Sequence, residues 1–158
     1  MSAPHLIDLD VRPEWIDYNG HMNMAYYVVA FDKATDVLFD HLGVGQAYKR
    51  DTAHTMFAME SHVTYARETK LGDKLSIAGQ LLDADDKKFH FFLRMTAAGS
   101  DEQIATFEML VLHVDDRGPK ATKFPPAQQA KIDAMLAEHR RLPRPPEAGR
   151  HVGIRRGR

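Results

Sequence analysis

Asn23–Gly43 reads NMAYYVVAFDKATDVLFDHLG, and its reading decides the fold. From Met24 to Leu42 there is neither glycine nor proline. Met24, Tyr27, Phe31, Ala34, Leu38 and Leu42 recur at spacings of three and four, which puts them on one face of a helix. Asn23 is suited to cap its start, because a side-chain amide oxygen can accept a bond from an orphan N–H of the first turn. Gly43 is placed to end it in the left-handed conformation. Such a helix is about 28 Å long at 1.5 Å per residue. Val28 and Val29 widen the apolar surface beyond one stripe, so the helix is expected to be well buried.

Outside the helix the period changes to two. Upstream, Ile7, Leu9 and Val11 alternate with Asp8, Asp10 and Arg12, a strand pattern over Leu6–Arg12 that Pro13 ends. Residues 44–56 are less regular. Phe57–Glu68 then reads as a strand with Phe57, Met59, Val63 and Tyr65 on one side and Glu60, His62 and Thr64 on the other. Leu71-Gly72-Asp73 turns the chain into Leu75, Ile77, Gly79 and Leu81, alternating with Lys74, Ser76 and Gln80. Residues 83–86 turn it again into Phe89, Phe91, Leu93 and Met95. Ile104–Val114 is apolar on nearly both faces, as a central strand is. Gln128–Arg140, introduced by Pro125-Pro126, reads as a second helix with Ile132, Met135 and Leu136 on one face. Tight turns force antiparallel neighbours. The expected architecture is α+β: one long helix lying on an antiparallel sheet of about five strands, with a C-terminal helix. Residues 1–140 form the expected single domain, and 141–158 an arginine- and proline-rich basic tail with no period.

Composition limits the function. With 158 residues, 44% hydrophobic and 27% charged, the chain is long enough to bury a core. There is no cysteine, which excludes disulfides, thiolate metal sites and a cysteine nucleophile. The start, MSAPHLIDLDV, lacks the pattern of a secretory signal, and no apolar run approaches the ~18 residues of a membrane span. A cytoplasmic location with no membrane partner is expected. The net charge of −1 hides an asymmetry: residues 140–158 hold seven arginines and one glutamate, +6, which leaves −7 for residues 1–139. A body of −7 works against nucleic-acid binding.

Immediately before the helix, Ile16–Tyr27 (IDYNGHMNMAYY) crowds Asp17, Asn19, His21 and Asn23 into seven residues. Turn and cap chemistry explains Gly20 and Asn23. It does not explain His21, nor Asp17 six residues ahead of the cap. A helix start also has N–H groups without partners and roughly half a positive charge from the macrodipole. That is a ready site for the oxyanion of acyl transfer, with backbone N–H groups of Asn23 and Met24 as donors. Asp17 can activate water as a general base or attack as a carboxylate nucleophile. Asn19 and His21 are then candidates to position acid, water or substrate.

The run Asp17-x-Asn19-Gly20-His21-Met22-Asn23, with a tyrosine following in the helix, resembles the D-x-N-x-H-x-N signature of hot-dog-fold thioesterases. Both 4-hydroxybenzoyl-CoA-thioesterase-like and acyl-ACP-thioesterase-like proteins carry it. Val63-Thr64-Tyr65-Ala66-Arg67-Glu68 and Leu71-Gly72-Asp73 resemble that family's second strand and its Gly-Asp turn. The resemblance covers roughly residues 5–118. It implies a central helix wrapped by a curved antiparallel sheet, and a homodimer or tetramer with sites between subunits. It also implies hydrolysis of an acyl-CoA without metal or other cofactor, coenzyme A being part of the substrate. Plant acyl-ACP enzymes place further catalytic residues, a cysteine among them, in a second domain; these 158 residues hold no cysteine. The motif and the Glu147-Ala148-Gly149-Arg150 ending are similar to betainyl-CoA thioesterases of carnitine breakdown, which implies betainyl-CoA as substrate.

Trp15, Tyr18 and Tyr26 flank the motif as core or lip residues, and aromatic faces also attract quaternary ammonium groups. Glu60 and His62 read as solvated or interfacial; in the sharper reading Glu60 reaches the partner subunit's site. Arg67, Lys70, Lys74, Lys87, Lys88 and the tail arginines are the cations available for coenzyme A phosphates, since no glycine-rich phosphate loop occurs. The nine histidines lack metal spacing: there is no H-x-x-x-H or H-E-x-x-H. Two rival functions fit the same fold, an acyl-CoA dehydratase or hydratase, and a non-catalytic acyl-CoA or protein-binding module.

Overall fold

A computed structural model describes residues 2–154. Helix α1 runs Met24–Leu42, as its sequence predicts. Asn23 caps it by accepting the Ala25 N–H, and Gly43 closes it at φ +71° with its N–H on the Phe39 and Asp40 carbonyls. Tyr27, Ala30, Phe31, Ala34, Thr35, Leu38 and Leu42 form its buried face. Met24 is the exception to the predicted stripe: it begins the helix and is 65% exposed. Val28 and Val29 are also only partly covered, so the helix keeps an open apolar side in this chain.

The strands are β1 (His5–Asp10), β2 (His54–Tyr65), β3 (Lys74–Ala84), β4 (Lys88–Ala97), β5 (Gln103–Asp115) and the two-residue β6 (Lys120–Ala121). They make one antiparallel sheet in the order β1-β3-β4-β5-β2, with β6 beside β5. The inner face carries Leu75, Ile77, Leu81, Phe89, Phe91, Leu93, Met95, Phe107 and Val111 against α1, and these residues form the core. Phe31 stacks on Phe107 with ring centroids 5.3 Å apart. This is the expected helix on a curled sheet.

Three departures have physical causes. Helix α2 (Gln46–Thr52) lies in the stretch that shows no period; seven residues are too few for one to register. Strand β1 ends two residues early, although buried Val11 still donates its N–H to the Asp73 carbonyl at 2.9 Å. In β2 the predicted faces are wrong before Glu60. Ala58 pairs with Val111 and Glu60 with Leu110, so Met59 is a bulge with no partner on β5. Phe57, opposite Leu112, therefore shares the outer face with Glu60 and His62 rather than with Val63 and Tyr65.

Helix α3 (Pro126–His139) packs on β3. Beyond it, the described part of the tail lies on the outer face. The Gln80 amide donates to the His139 and Pro143 carbonyls, Gln103 to Glu147, and the Gly149 N–H to the Glu108 carboxylate. His139 is buried, and its Nδ1 accepts the Leu81 N–H at 2.9 Å, so that nitrogen carries no proton. His113 is fully buried between the Tyr48 hydroxyl and the Thr122 carbonyl. Burial pushes both imidazoles below their ordinary value of 6.5. The unfolded chain therefore binds more protons than the folded one just below that value. Their contribution to stability is full above 6.5 and is lost as pH falls from there toward the depressed folded values. Thermal melts are expected to give a constant midpoint from about pH 8 to 7 and a falling one toward about pH 5. A midpoint unchanged across that range would contradict the burial of neutral imidazoles.

Candidate active site

The motif before α1 is a tight reversal. Ile16 and Met22 pair as an isolated antiparallel bridge. The Asp17 N–H donates to the His21 carbonyl and the Gly20 N–H to the Asp17 carbonyl, both at 3.0 Å. Gly20 sits at φ +79°, a conformation that only glycine adopts at no steric cost. The reversal is fixed from outside by residues 67–69. The Met22 N–H donates to the Thr69 carbonyl at 2.8 Å, and the Tyr27 hydroxyl to the Arg67 carbonyl at 3.3 Å.

Within this frame the Asp17 carboxylate faces the helix start. Its Oδ1 accepts the Asn19 N–H at 2.8 Å, and its Oδ2 lies 3.4 Å from Asn23 Nδ2. Asn23 Oδ1 accepts the Ala25 N–H at 3.0 Å, and the Tyr26 N–H donates to the Asn23 carbonyl at 3.0 Å. Of the two backbone donors expected for an oxyanion, Asn23 is already committed: its N–H donates to the Trp15 carbonyl at 2.9 Å. The Met24 N–H has no protein partner among the described residues. One carboxylate and one unpaired backbone donor thus share the positive end of a 19-residue helix.

The remaining candidates divide. His21 Nε2 stands 3.1 Å from Glu68 Oε2, a partner the sequence reading did not assign because 47 positions separate them and no local signal joins them. Asn19 touches Asp17 through its backbone, not its side chain. Trp15 is buried, stacked on Tyr26 at 5.9 Å and covered by the Arg12 guanidinium, so its ring is packing rather than an open ligand face. Tyr18 is 97% exposed at the tip of the reversal. Arg67 is paired with Glu102 and lines a polar recess of about 510 Å³ with Glu68 and Lys74. Glu60 lies on the outer face at a separate cavity of about 320 Å³ with His62, His90 and Glu108. Among the described residues no three acidic or imidazole side chains converge as a metal site would require. No helix among them is long and apolar enough to cross a membrane.

An exposed apolar surface adjoins the motif. Met24, Val28 and Val29 on α1 and Met59 and Tyr65 on β2 are all at least 39% exposed, while exposed Phe57 lies on the other face of the sheet. Tyr65 packs edge-on against Tyr27 at 5.3 Å, and its hydroxyl reaches the Met24 carbonyl at 3.4 Å.

Known proteins resemble this chain in sequence and in fold. The model of the Thioesterase-like superfamily matches residues 11–132. An L-carnitine dehydrogenase/betainyl-CoA thioesterase of Rhizobium meliloti is 39% identical over 156 residues, 98% of this chain and 31% of that protein. This chain therefore spans about a third of that two-function relative. A betainyl-CoA thioesterase of Pseudomonas aeruginosa is 35% identical over 144 residues, 91% of each chain. A Staphylococcus aureus protein solved in complex with CoA superimposes with a TM-score of 0.88 at 25% identity, covering 98% of both chains.

Proposed function

The chain belongs to the Thioesterase-like superfamily, and from that premise we propose that it hydrolyses an acyl-CoA to the free acid and coenzyme A. The observation that carries the reading is the Asp17 carboxylate beside the unpaired Met24 N–H at the start of α1. As a base, Asp17 takes a proton from water, the oxygen bonds to the thioester carbonyl carbon, and collapse of the intermediate breaks the carbon–sulfur bond and releases the thiolate. As a nucleophile, the Asp17 carboxylate bonds to the carbonyl carbon, the carbon–sulfur bond breaks with release of the thiolate, and water then cleaves the resulting anhydride to the free acid and the Asp17 carboxylate. In either route the negative charge that develops on the carbonyl oxygen meets the Met24 N–H and the helix dipole. His21, held by Glu68, borders the site. Exposed Tyr18 and half-buried Tyr26 are the aromatic groups near its mouth, and Arg67 and Lys74, which line one recess with Glu68, are candidate cations for coenzyme A phosphates.

Betainyl-CoA is the favoured substrate, supported by the relatives that carry that activity in their names. The apolar surface on α1 and β2 supports a homodimer, since a second copy laid there covers the edge of β2 and walls the open site. Thiol release should be assayed with betainyl-CoA, acetyl-CoA, a medium-chain and an aromatic acyl-CoA, with mass measured by light scattering on the same sample. We expect the highest kcat/KM with betainyl-CoA, from a particle of twice the 17.9 kDa chain mass. Release from none of the four would refute the hydrolase reading, and a monomer would refute the dimer.

A further inference from the structure

Asn23 does two things at once. Its amide oxygen is fixed on the Ala25 N–H, which decides the orientation of the amide. The amide nitrogen is therefore turned to Asp17 Oδ2, to which it donates at 3.4 Å, the long end of the hydrogen-bond range. The backbone of the same residue is held by Trp15 on one side and carries the unpaired Met24 N–H on the other. One side chain thus links the carboxylate to the turn of helix that supplies the oxyanion donor.

We propose that the Asn23 side chain is a positioning residue that holds Asp17 in register with the Met24 N–H. This rests on the reading of Asp17 as base or nucleophile. Helix capping needs only an acceptor at position 23; serine and aspartate supply it as well as asparagine does. What asparagine adds is a donor directed at a carboxylate. A plain cap can be exchanged for Ser at no cost to turnover, whereas a positioning residue cannot.

The test compares Asn23→Ser and Asn23→Asp with Asp17→Asn, each by thermal melt, kcat and KM separately, and a pH–rate profile. Both Asn23 variants keep the cap; the midpoint of Asn23→Ser should stay near that of the parent, whereas Asn23→Asp, with two carboxylates face to face, should melt lower at neutral pH. In Asn23→Ser the carboxylate is left unguided, and kcat should fall about 10- to 100-fold with KM within about twofold, the scale of a misplaced reacting group. In Asn23→Asp a second carboxylate faces the first, and the acid limb of the kcat profile should also move to higher pH. A structural role alone would leave the kcat of Asn23→Ser at the parent's value, and the moved limb of Asn23→Asp reports whether Asp17 is the titrating group. If Asp17→Asn abolishes turnover while Asn23→Ser matches the parent, the positioning role is wrong and the catalytic reading stands. If Asp17→Asn itself leaves turnover intact, both are wrong.

Discussion

Asp17→Asn should lower kcat for thioester hydrolysis by about 10²- to 10⁴-fold while leaving the fold in place. The substitution keeps the shape of the side chain and an oxygen for the Asn19 N–H, and asparagine is at home in this kind of turn. What it removes is the negative charge, and with it both the proton acceptor and the nucleophile. The melting midpoint should therefore hold while turnover collapses, and KM should change little, because the carboxylate contributes to the transition state rather than to ground-state binding. Thiol release at saturating substrate, read beside a thermal melt, separates the two effects. Turnover within tenfold of the parent would reduce Asp17 to a turn residue.

Met24→Pro addresses the other half of the site by deleting a single hydrogen atom from the backbone. Proline is unusually welcome at this position. Met24 is the first residue of α1, where proline is favoured because its missing N–H costs no intrahelical bond. Asn23 sits at φ −63° and ψ 145°, the extended conformation that a following proline demands. The Met24 side chain is largely exposed, so its loss uncovers little core. Stability should stay within about 1 kcal/mol of the parent. If the Met24 N–H binds the developing oxyanion, kcat should fall about 10²- to 10³-fold, the usual cost of one such donor. Met24→Ala, which keeps the N–H, should remain near the parent and so removes the side chain as an explanation. Equal turnover in the proline and alanine variants would show that the oxyanion is held elsewhere.

The parts of this molecule that sequence discloses are those encoded locally. Helix α1 could be bounded at both ends because Asn23 and Gly43 act on their own neighbours, and a three-four period over 19 residues has no other interpretation. The strands of the inner sheet were visible through alternation, and Asp17 and His21 stood out as polar residues that capping did not require. What stays hidden depends on segments that meet only in the folded chain. The Trp15 carbonyl takes the Asn23 N–H because the Ile16–Met22 reversal lays the 3-10 turn at Pro13–Trp15 beside the cap. Glu68 meets His21 only once residues 67–69 lie against the motif. Trp15 is concealed by Tyr26 and Arg12, neither of which signals that role in sequence.

The bulge in β2 also governs how this strand tolerates the loss of a residue. At Ala58-Met59 it carries one residue more than β5 can match. Delete Met59, and Phe57, Ala58, Glu60 and Ser61 fall opposite Leu112, Val111, Leu110 and Met109 without a break, each on its present face. Delete a residue between Ser61 and Tyr65 instead, and every position on one side of the gap is exchanged between core and solvent faces. The strand has a spare position at its midpoint, and a lineage could shorten the chain there while Val63 and Tyr65 stayed where they are.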